Sequence, residues 1–391
     1  MPQADSPALL SGQSADLLIA GGGIMGLWAA VYAERLGIDT LLIDAGRIGG
    51  GASGGLLGAL MPHMPDKWNA KKQFQFDALL SLETEIAALE AATGLSAGYR
   101  RSGRIIPLPK PHLKTIALRH SADAEVNWNQ QGRAFHWHVS DQPAVSGWID
   151  PAAGESGFVH DTLAARVAPR ALVSALRAFL DQARHVRIAE TAALCSLDME
   201  TGVAEIDGTE VNFGHCIIAA GHASFPILQR FNPGLPQPLG QPVKGQAALL
   251  KADIDPALPV IFRDGLYIVA HEGGHVAIGS TSENSFSDPN GTDDQLEPLI
   301  AAAREMAPVL ADAPVVERWA GLRPKAIDRD PMVGRHPDHP RLHALTGGFK
   351  VSFGLAHRLA ARVTREIAGQ PAGFDLPDSF ALSSHITAAS R

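Results

Sequence analysis

The stretch Asp16-Leu17-Leu18-Ile19-Ala20-Gly21-Gly22-Gly23-Ile24-Met25-Gly26 decides the fold of this chain. A short apolar run, 17–20, breaks into glycine, and an alanine-rich amphipathic segment follows to Leu36. The spacing is G-x-G-x-x-G on a strand–turn–helix path. Gly21 makes the tight turn, Gly23 lets backbone approach a pyrophosphate, and Gly26 lets the helix pack closely on the strand. Ile24 and Met25 open that helix, whose free N–H groups and dipole suit a phosphate pair. A second apolar run, 40–43, ends in Asp44, where a ribose hydroxyl would be held. A glycine turn alone is weak evidence. Strand, helix, second strand and terminal acid in that order predict a dinucleotide-binding β-α-β unit.

The loop that follows, 45–59, is crowded with glycine around Ser53 and suits neither a stable helix nor a strand interior. Such a loop beside the ribose site brings many backbone N–H groups against a ligand. A nicotinamide has no evident use for it. A flavin ring, packed against bare backbone, does.

At 391 residues the chain is long enough for two or three units, and 46% hydrophobic with 19% charged residues is ordinary globular composition. A net charge of −8 with no long basic tract disfavours nucleic-acid binding. Cys195 and Cys216 lie in apolar segments and imply neither a disulfide framework nor a metal. His136 and His138 share one face of a possible strand but lack a third ligand, so no metal site is expected. No apolar run is long enough to cross a bilayer. Residues 1–16 lack a basic region before an apolar core and read as a disordered lead-in, so a cytoplasmic protein is expected. Helical spacing covers 74–92, 169–180, 294–306 and a closing 354–368. Strand patterns cover 186–188, a hairpin near 203–208, then 247–250, 260–262, 265–269, 275–278 and 342–346. The segment 109–148 has no clean period. Pro233, Pro236, Pro238 and Pro242 mark a linker or crossover.

Gly21-x-Gly23-x-x-Gly26, Asp44 and Gly51-Ala52-Ser53-Gly54 together resemble the start of the D-amino-acid oxidase superfamily, which includes glycine oxidase, monomeric sarcosine oxidase and D-amino-acid dehydrogenases. The resemblance continues over about residues 16–368. It runs through Tyr99 to Arg104, Val167-Ala168-Pro169-Arg170, His215 to Gly221, Pro242 to Gln246, Ile278 to Thr281, Gly321-Leu322-Arg323-Pro324 and Gly348-Phe349-Lys350-Val351-Ser352. It implies an α/β chain in which a Rossmann-like FAD-binding domain of glutathione-reductase type is interleaved with an α+β substrate domain on a mostly antiparallel sheet. The expected division is 1–65 with 155–235 and 320–391 for FAD, and 66–154 with 236–319 for substrate.

The resemblance further implies non-covalent FAD held by Gly21, Gly23, Ile24, Met25, Gly26, Asp44, Ala45, Gly51, Ala52, Ser53, Gly58, Val167, Ala220, Gly221, Arg323 and Gly348 to Ser352. The implied reaction moves a hydride from the α-carbon of a small amine to the flavin. Its substrate would be a carboxylate-bearing amino acid of glycine, sarcosine or D-amino-acid type, with O2 or another carrier as electron acceptor. Arg323 and Lys350 are the candidate carboxylate cations, since a planar guanidinium grips a carboxylate bidentately. Tyr267 and His63 are candidates to line the pocket. Four departures stand out: Gly321 replaces the cysteine that tethers flavin in sarcosine oxidases, Ala277 falls where an oxygen-activating lysine is expected, Gly347 falls where a histidine usually precedes Gly-Phe-Lys, and His271 falls where many relatives have arginine. Gly58-Ala59-Leu60-Met61-Pro62 also resembles a tRNA wobble-uridine-modifying flavoprotein, against which the acidic charge argues. A flavin-binding sensor without turnover is the third reading.

Overall fold

A computed structural model describes residues 14–391. Of the expected lead-in, residues 1–13 lie outside the described residues. Ser14 to Asp16 correct it: they begin the first strand, Ser14–Ala20, because Ser14 and Ala15 pair with Asn212 and Phe213.

The first sheet runs Met332–Arg335, Leu342–Thr346, Thr209–Ile218, Ser14–Ala20, Thr40–Ile43, Val186–Ala189, with Val203–Ile206 and Leu194–Asp198 hairpinned onto Thr209–Ile218. Its four central pairings are parallel. The Thr40–Ile43 strand is buried along its whole length, as expected of a parallel sheet covered on both faces. One face carries helices Ile24–Leu36 and Ser352–Ile367, packed through Trp28, Ala29, Leu355 and Leu359. The first of these stops at Gly37, whose left-handed backbone (φ 69°) closes the last turn.

The second sheet runs Val315–Ala326, Gly240–Lys251, His275–Gly279, Leu266–His271, Val260–Arg263, Arg104–Pro107, Phe158–Asp161, Trp137–Ser140. All its pairings are antiparallel except Val260–Arg263 with Arg104–Pro107. Helix Leu296–Met306 packs against one face through Leu296, Ile300 and Ala303. The opposite face, carrying Ala247, Val260, Val269 and Ala277, meets the glycine loop at Leu56. Strand Phe158–Asp161, from the stretch assigned to FAD, pairs inside this second sheet, and Val315–Ala326 runs across residue 320. A two-stranded link, Ala59–Leu60 with Ala165–Arg166, joins the parts. There Arg166, fully buried, donates to Glu272 at 2.8 Å from both Nη atoms.

Three further expectations are corrected. Helix Pro111–Asn127 lies in the segment without a period, because it buries only Ala117 and Ala124 and so carries no apolar stripe. Pro242 belongs to strand Gly240–Lys251 instead of a linker; it lies opposite Pro324, before the strand gains its second neighbour at Ala247. The helix Ser352–Ile367 is not the last, since Leu382–Ala389 follows and buries Leu382 and His385.

Candidate active site

Between the two sheets lies a cavity of about 690 Å³. Its first wall is the glycine motif. Gly21 has φ +114° and no room for a side chain: a Cβ there would stand 2.4 Å from the Ala219 carbonyl oxygen. At Gly26 a Cβ would stand 1.8 Å from the Gly21 oxygen, so this glycine packs helix on strand and does not line the cavity. The helix N-terminus differs from expectation, because the Ile24 N–H donates to Ser53 Oγ at 2.9 Å. Gly23, Ile24 and Met25 still face the space. Asp44 is fixed twice, its carboxylate accepting from the N–H of Gly22 (2.7 Å) and of Gly46 (2.8 Å).

The glycine loop forms the second wall: Ala45, Gly51, Ala52, Ser53 and Gly58 line the cavity. Gly58 (φ +63°) lies so close to Val167 that a Cβ would stand 2.0 Å from the Val167 oxygen. Val167 is therefore corrected to a supporting place: it is fully buried behind Gly58, donates its N–H to the Gly58 carbonyl at 2.9 Å, and does not reach the cavity. Ala192 to Leu194 do line it, unanticipated, because the strand Val186–Ala189 docks beside Thr40–Ile43 and delivers the chain past Asp44. Ala220, Gly221 and Gly348 to Ser352 also line the cavity, Ala220 against Gly21 and Gly348 against Met25. A cradle this crowded with backbone, where added Cβ atoms collide, fits an extended dinucleotide better than a small metabolite.

The opposite wall comes from the second sheet. Gly245 lies opposite Gly321, and Val243 opposite Arg323. This brings together the segments Pro242 to Gln246, Ile278 to Thr281 and Gly321 to Pro324. Arg323 lies across Gly245, whose Cβ, if present, would stand 1.9 Å from Nη2. The Arg323 Nη1 donates to the Thr281 carbonyl at 3.1 Å. Thr281 is in turn held by Glu283 and Gln246, and Glu283 by the buried Lys244, whose ammonium lies 3.7 Å from it and 3.3 Å from Asp293. Gly245→Ala should therefore shift the guanidinium without unfolding the chain. We expect KM for a carboxylate substrate to rise about tenfold with little change in Tm; an unchanged KM would remove this glycine from the site.

Lys350 stands at the rim with its ammonium 5.5 Å from the Phe349 ring centroid; partial burial and the nearby Arg323 charge hold it below the usual lysine range. Half-buried Tyr267 lines the cavity beside Phe262, ring centroids 4.8 Å apart. Burial raises its hydroxyl's pKa, while Arg104 and Arg323 pull it back. His63 also lines the cavity but is exposed, its N–H donating to Gln75. Trp319 and Arg104 line it as well, which the sequence pattern did not announce.

The departures have physical counterparts. A Cβ on Gly321 would stand 2.5 Å from the Trp319 ring, so a cysteine has no space there. Cys216 is buried in Thr209–Ile218, Cys195 is exposed, and neither lines the cavity. Ala277 lies in the apolar cluster beneath the loop and supplies no cation.

His271 donates from Nε2 to the carbonyls of Leu56 and Leu57, 3.1 Å each, and so ties the glycine loop to the second sheet. Burial, with the neighbouring Arg166 charge, lowers its pKa to about 4. An unfolded histidine titrates near 6.5, so between these values the unfolded chain binds the extra proton. Stability is then complete above about pH 6.5 and is lost as pH falls toward 4, by up to about 3 kcal/mol from this group. His271→Gln should flatten part of the fall in Tm between pH 6.5 and 4; an unaltered profile would show that His271 does not carry it.

A protein-family model, DAO: FAD dependent oxidoreductase, matches residues 16–362. The chain belongs to this family. The DAO chain is 29% identical over 362 residues to the glycine oxidase of Pseudomonas putida KT2440, covering 88% of this chain and 92% of that protein. It is 24% identical to the Bacillus licheniformis glycine oxidase, covering 93% and 96%. Among solved structures, Geobacillus kaustophilus glycine oxidase superposes with a TM-score of 0.83 at 21% identity, over 95% of this chain and 98% of that one. Iminodiacetate oxidase from Chelativorans sp. BNC1 gives 0.78 at 24%, over 93% and 98%. At these identities the superpositions speak for the fold. The DAO chain is an FAD-dependent oxidoreductase with the α/β architecture expected of it. Among the described residues no helix is long and apolar enough to cross a membrane, and no group of three His, Cys, Asp or Glu side chains is set to hold a metal.

Proposed function

We propose that this chain oxidises a small carboxylate-bearing amine, of glycine, sarcosine or D-amino-acid type. The observation that carries this reading is Arg323, a guanidinium laid over glycine and spending one donor on Thr281, in the same cavity as the glycine motif. Bound FAD supplies the hydride acceptor. The residues supply position: Arg323 grips the carboxylate, Lys350 adds a second positive charge at the rim, and Tyr267 bounds the space where the α-carbon lies. Fixing that carbon can contribute several kcal/mol to the barrier reduction. The Gly21-to-Met25 turn, Asp44 and Ala192 to Leu194 hold the adenosine diphosphate portion, and Gly348 to Ser352 the ring end. With no cysteine in the cavity wall, the cofactor is dissociable.

The oxidase names of the relatives support dioxygen as acceptor, with Ala277 in the expected lysine's place as the reason to test it. The reading includes a cytoplasmic location, supported by two free cysteines. The test is anaerobic mixing of the holoenzyme with glycine, sarcosine and D-amino acids while following flavin absorbance. Bleaching by one of them is the expected result, and re-oxidation in air identifies an oxidase. A flavin that none of them reduces would overturn the reading.

A further inference from the structure

The cavity-facing side of the second sheet is apolar along most of its width, yet it carries Arg104. In register, Arg104 lies opposite Val260 on one side and Asp161 on the other, and Asp161 opposite Trp137. All four therefore leave the sheet on one face, the face that bears Val269 and Ala277. Arg104 lines the cavity although it is only 2% exposed. Its Nε donates to Asp161 Oδ2 at 2.5 Å, and its guanidinium carbon lies 5.6 Å from the Trp137 ring centroid. Asp161 spends its other oxygen on the Ala164 N–H at 2.8 Å. That leaves Arg104 Nη2 buried with no hydrogen-bond partner.

The Arg104 charge is paired with Asp161, yet a guanidinium donor left without an acceptor in a buried place is still costly, and an apolar pair would fill the same positions without that cost. Because Arg104 lines the cavity, a turn of its guanidinium toward that space would bring this donor to an acceptor carried by a ligand. Phe262 and Tyr267, their rings 4.8 Å apart and tilted by 44°, line the same cavity and supply an apolar surface for a short hydrocarbon link. Tyr267 sits on strand Leu266–His271, which lies in the sheet between the strand that bears Arg323 and the strand that bears Arg104.

We propose that Arg104 is a second carboxylate-binding residue of this cavity and that the substrate is an aminodicarboxylate, one carboxylate on Arg323 and the other on Arg104. This rests on the amine-oxidation reading. It narrows the substrate class from any small amino acid to those with two carboxylates joined by a short chain.

Two measurements on the FAD-loaded protein test it. The first needs no turnover: succinate and butyrate are titrated separately while the flavin spectrum is followed. Succinate should bind about tenfold or more tightly than butyrate, as a charge-assisted hydrogen bond predicts. The second compares anaerobic flavin reduction by D-aspartate and D-glutamate with that by D-asparagine and D-glutamine, with the same direction and size expected. In Arg104→Leu both ratios should fall toward one. Because the wild-type ratios are themselves decisive, a poorly folding variant leaves the inference testable. Equal affinity for succinate and butyrate, or an unchanged ratio in a folded Arg104→Leu, would overturn it. Reduction by glycine or D-alanine without any dicarboxylate preference would sink this inference and leave amine oxidation standing. Selective succinate binding with no amine reducing the flavin would do the opposite, upholding Arg104 as a binding residue.

Discussion

Arg323→Leu should bind carboxylate inhibitors about 100-fold more weakly than the wild type, the loss expected when a partly desolvated, charge-assisted pair is deprived of one member. The fold should survive, since among the described residues the side chain's one hydrogen bond is to the Thr281 carbonyl and Gly245 beneath it needs no filler. For substrates, kcat/KM should fall by a comparable factor. If the loss is confined to KM, the guanidinium contributes only to binding; if kcat falls with it, orientation at the ring is lost too. Titration of an inert carboxylate against the flavin spectrum measures the first effect directly. An inhibitor constant within threefold of wild type would take Arg323 out of the site, and with it the observation on which the substrate class depends. Lys350→Met should have a smaller effect, because its ammonium stands at the exposed rim.

Gly21→Ala should give a colourless protein. The new methyl group would stand 2.4 Å from the Ala219 oxygen, 2.5 Å from the Ala219 carbon and 2.6 Å from the Ala220 Cα, all backbone atoms that no rotamer change can relieve. A φ of +114° adds strain of its own. Ala219 donates its N–H to Ala20 at 2.8 Å, and Gly21 donates to Ile43 at 2.8 Å. Relief must therefore break contacts that hold the three central strands at the mouth of the cavity. A cost of about 3 kcal/mol or more is expected, a large part of the stability of an ordinary domain. The ratio of flavin to protein absorbance after purification, with a thermal melt, reads both consequences. Retention of full colour and an unchanged Tm would show that this turn does not shape the cofactor wall.

Much of this site was legible from local pattern. The run Leu17 to Gly26, then Thr40 to Asp44, specified strand, turn, helix and acid, because each step is set by neighbours in sequence: apolar periodicity, glycine where φ is positive, an acid at a strand end. Helix Pro169–Leu180 and strand Leu342–Thr346 have the bounds their patterns announced. Helix Pro111–Asn127 did not show itself, since its amphipathic signal is reduced to two alanines. Strand Val315–Ala326 was hidden for a different reason: most of its residues are only partly buried, so no alternating apolar run marks it, and its place is set by pairing with Gly240–Lys251.

The sequence alone determined the first crossover with its glycine turn and terminal acid, most of the chain segments that surround the cavity, and that Arg323 and Lys350 are the cations to weigh. Tertiary structure decided what each residue does there. It moved Val167 behind Gly58, gave the Ile24 N–H to Ser53, brought Ala192 to Leu194 to the cavity wall, and left Arg104, which lines the cavity, with a buried nitrogen that has no acceptor. The physical reason is one of range. Turn chemistry and periodicity act over a few residues, whereas hydrogen-bond partners and buried charge depend on register between strands far apart in the chain, such as Arg104 with Asp161 and Val260.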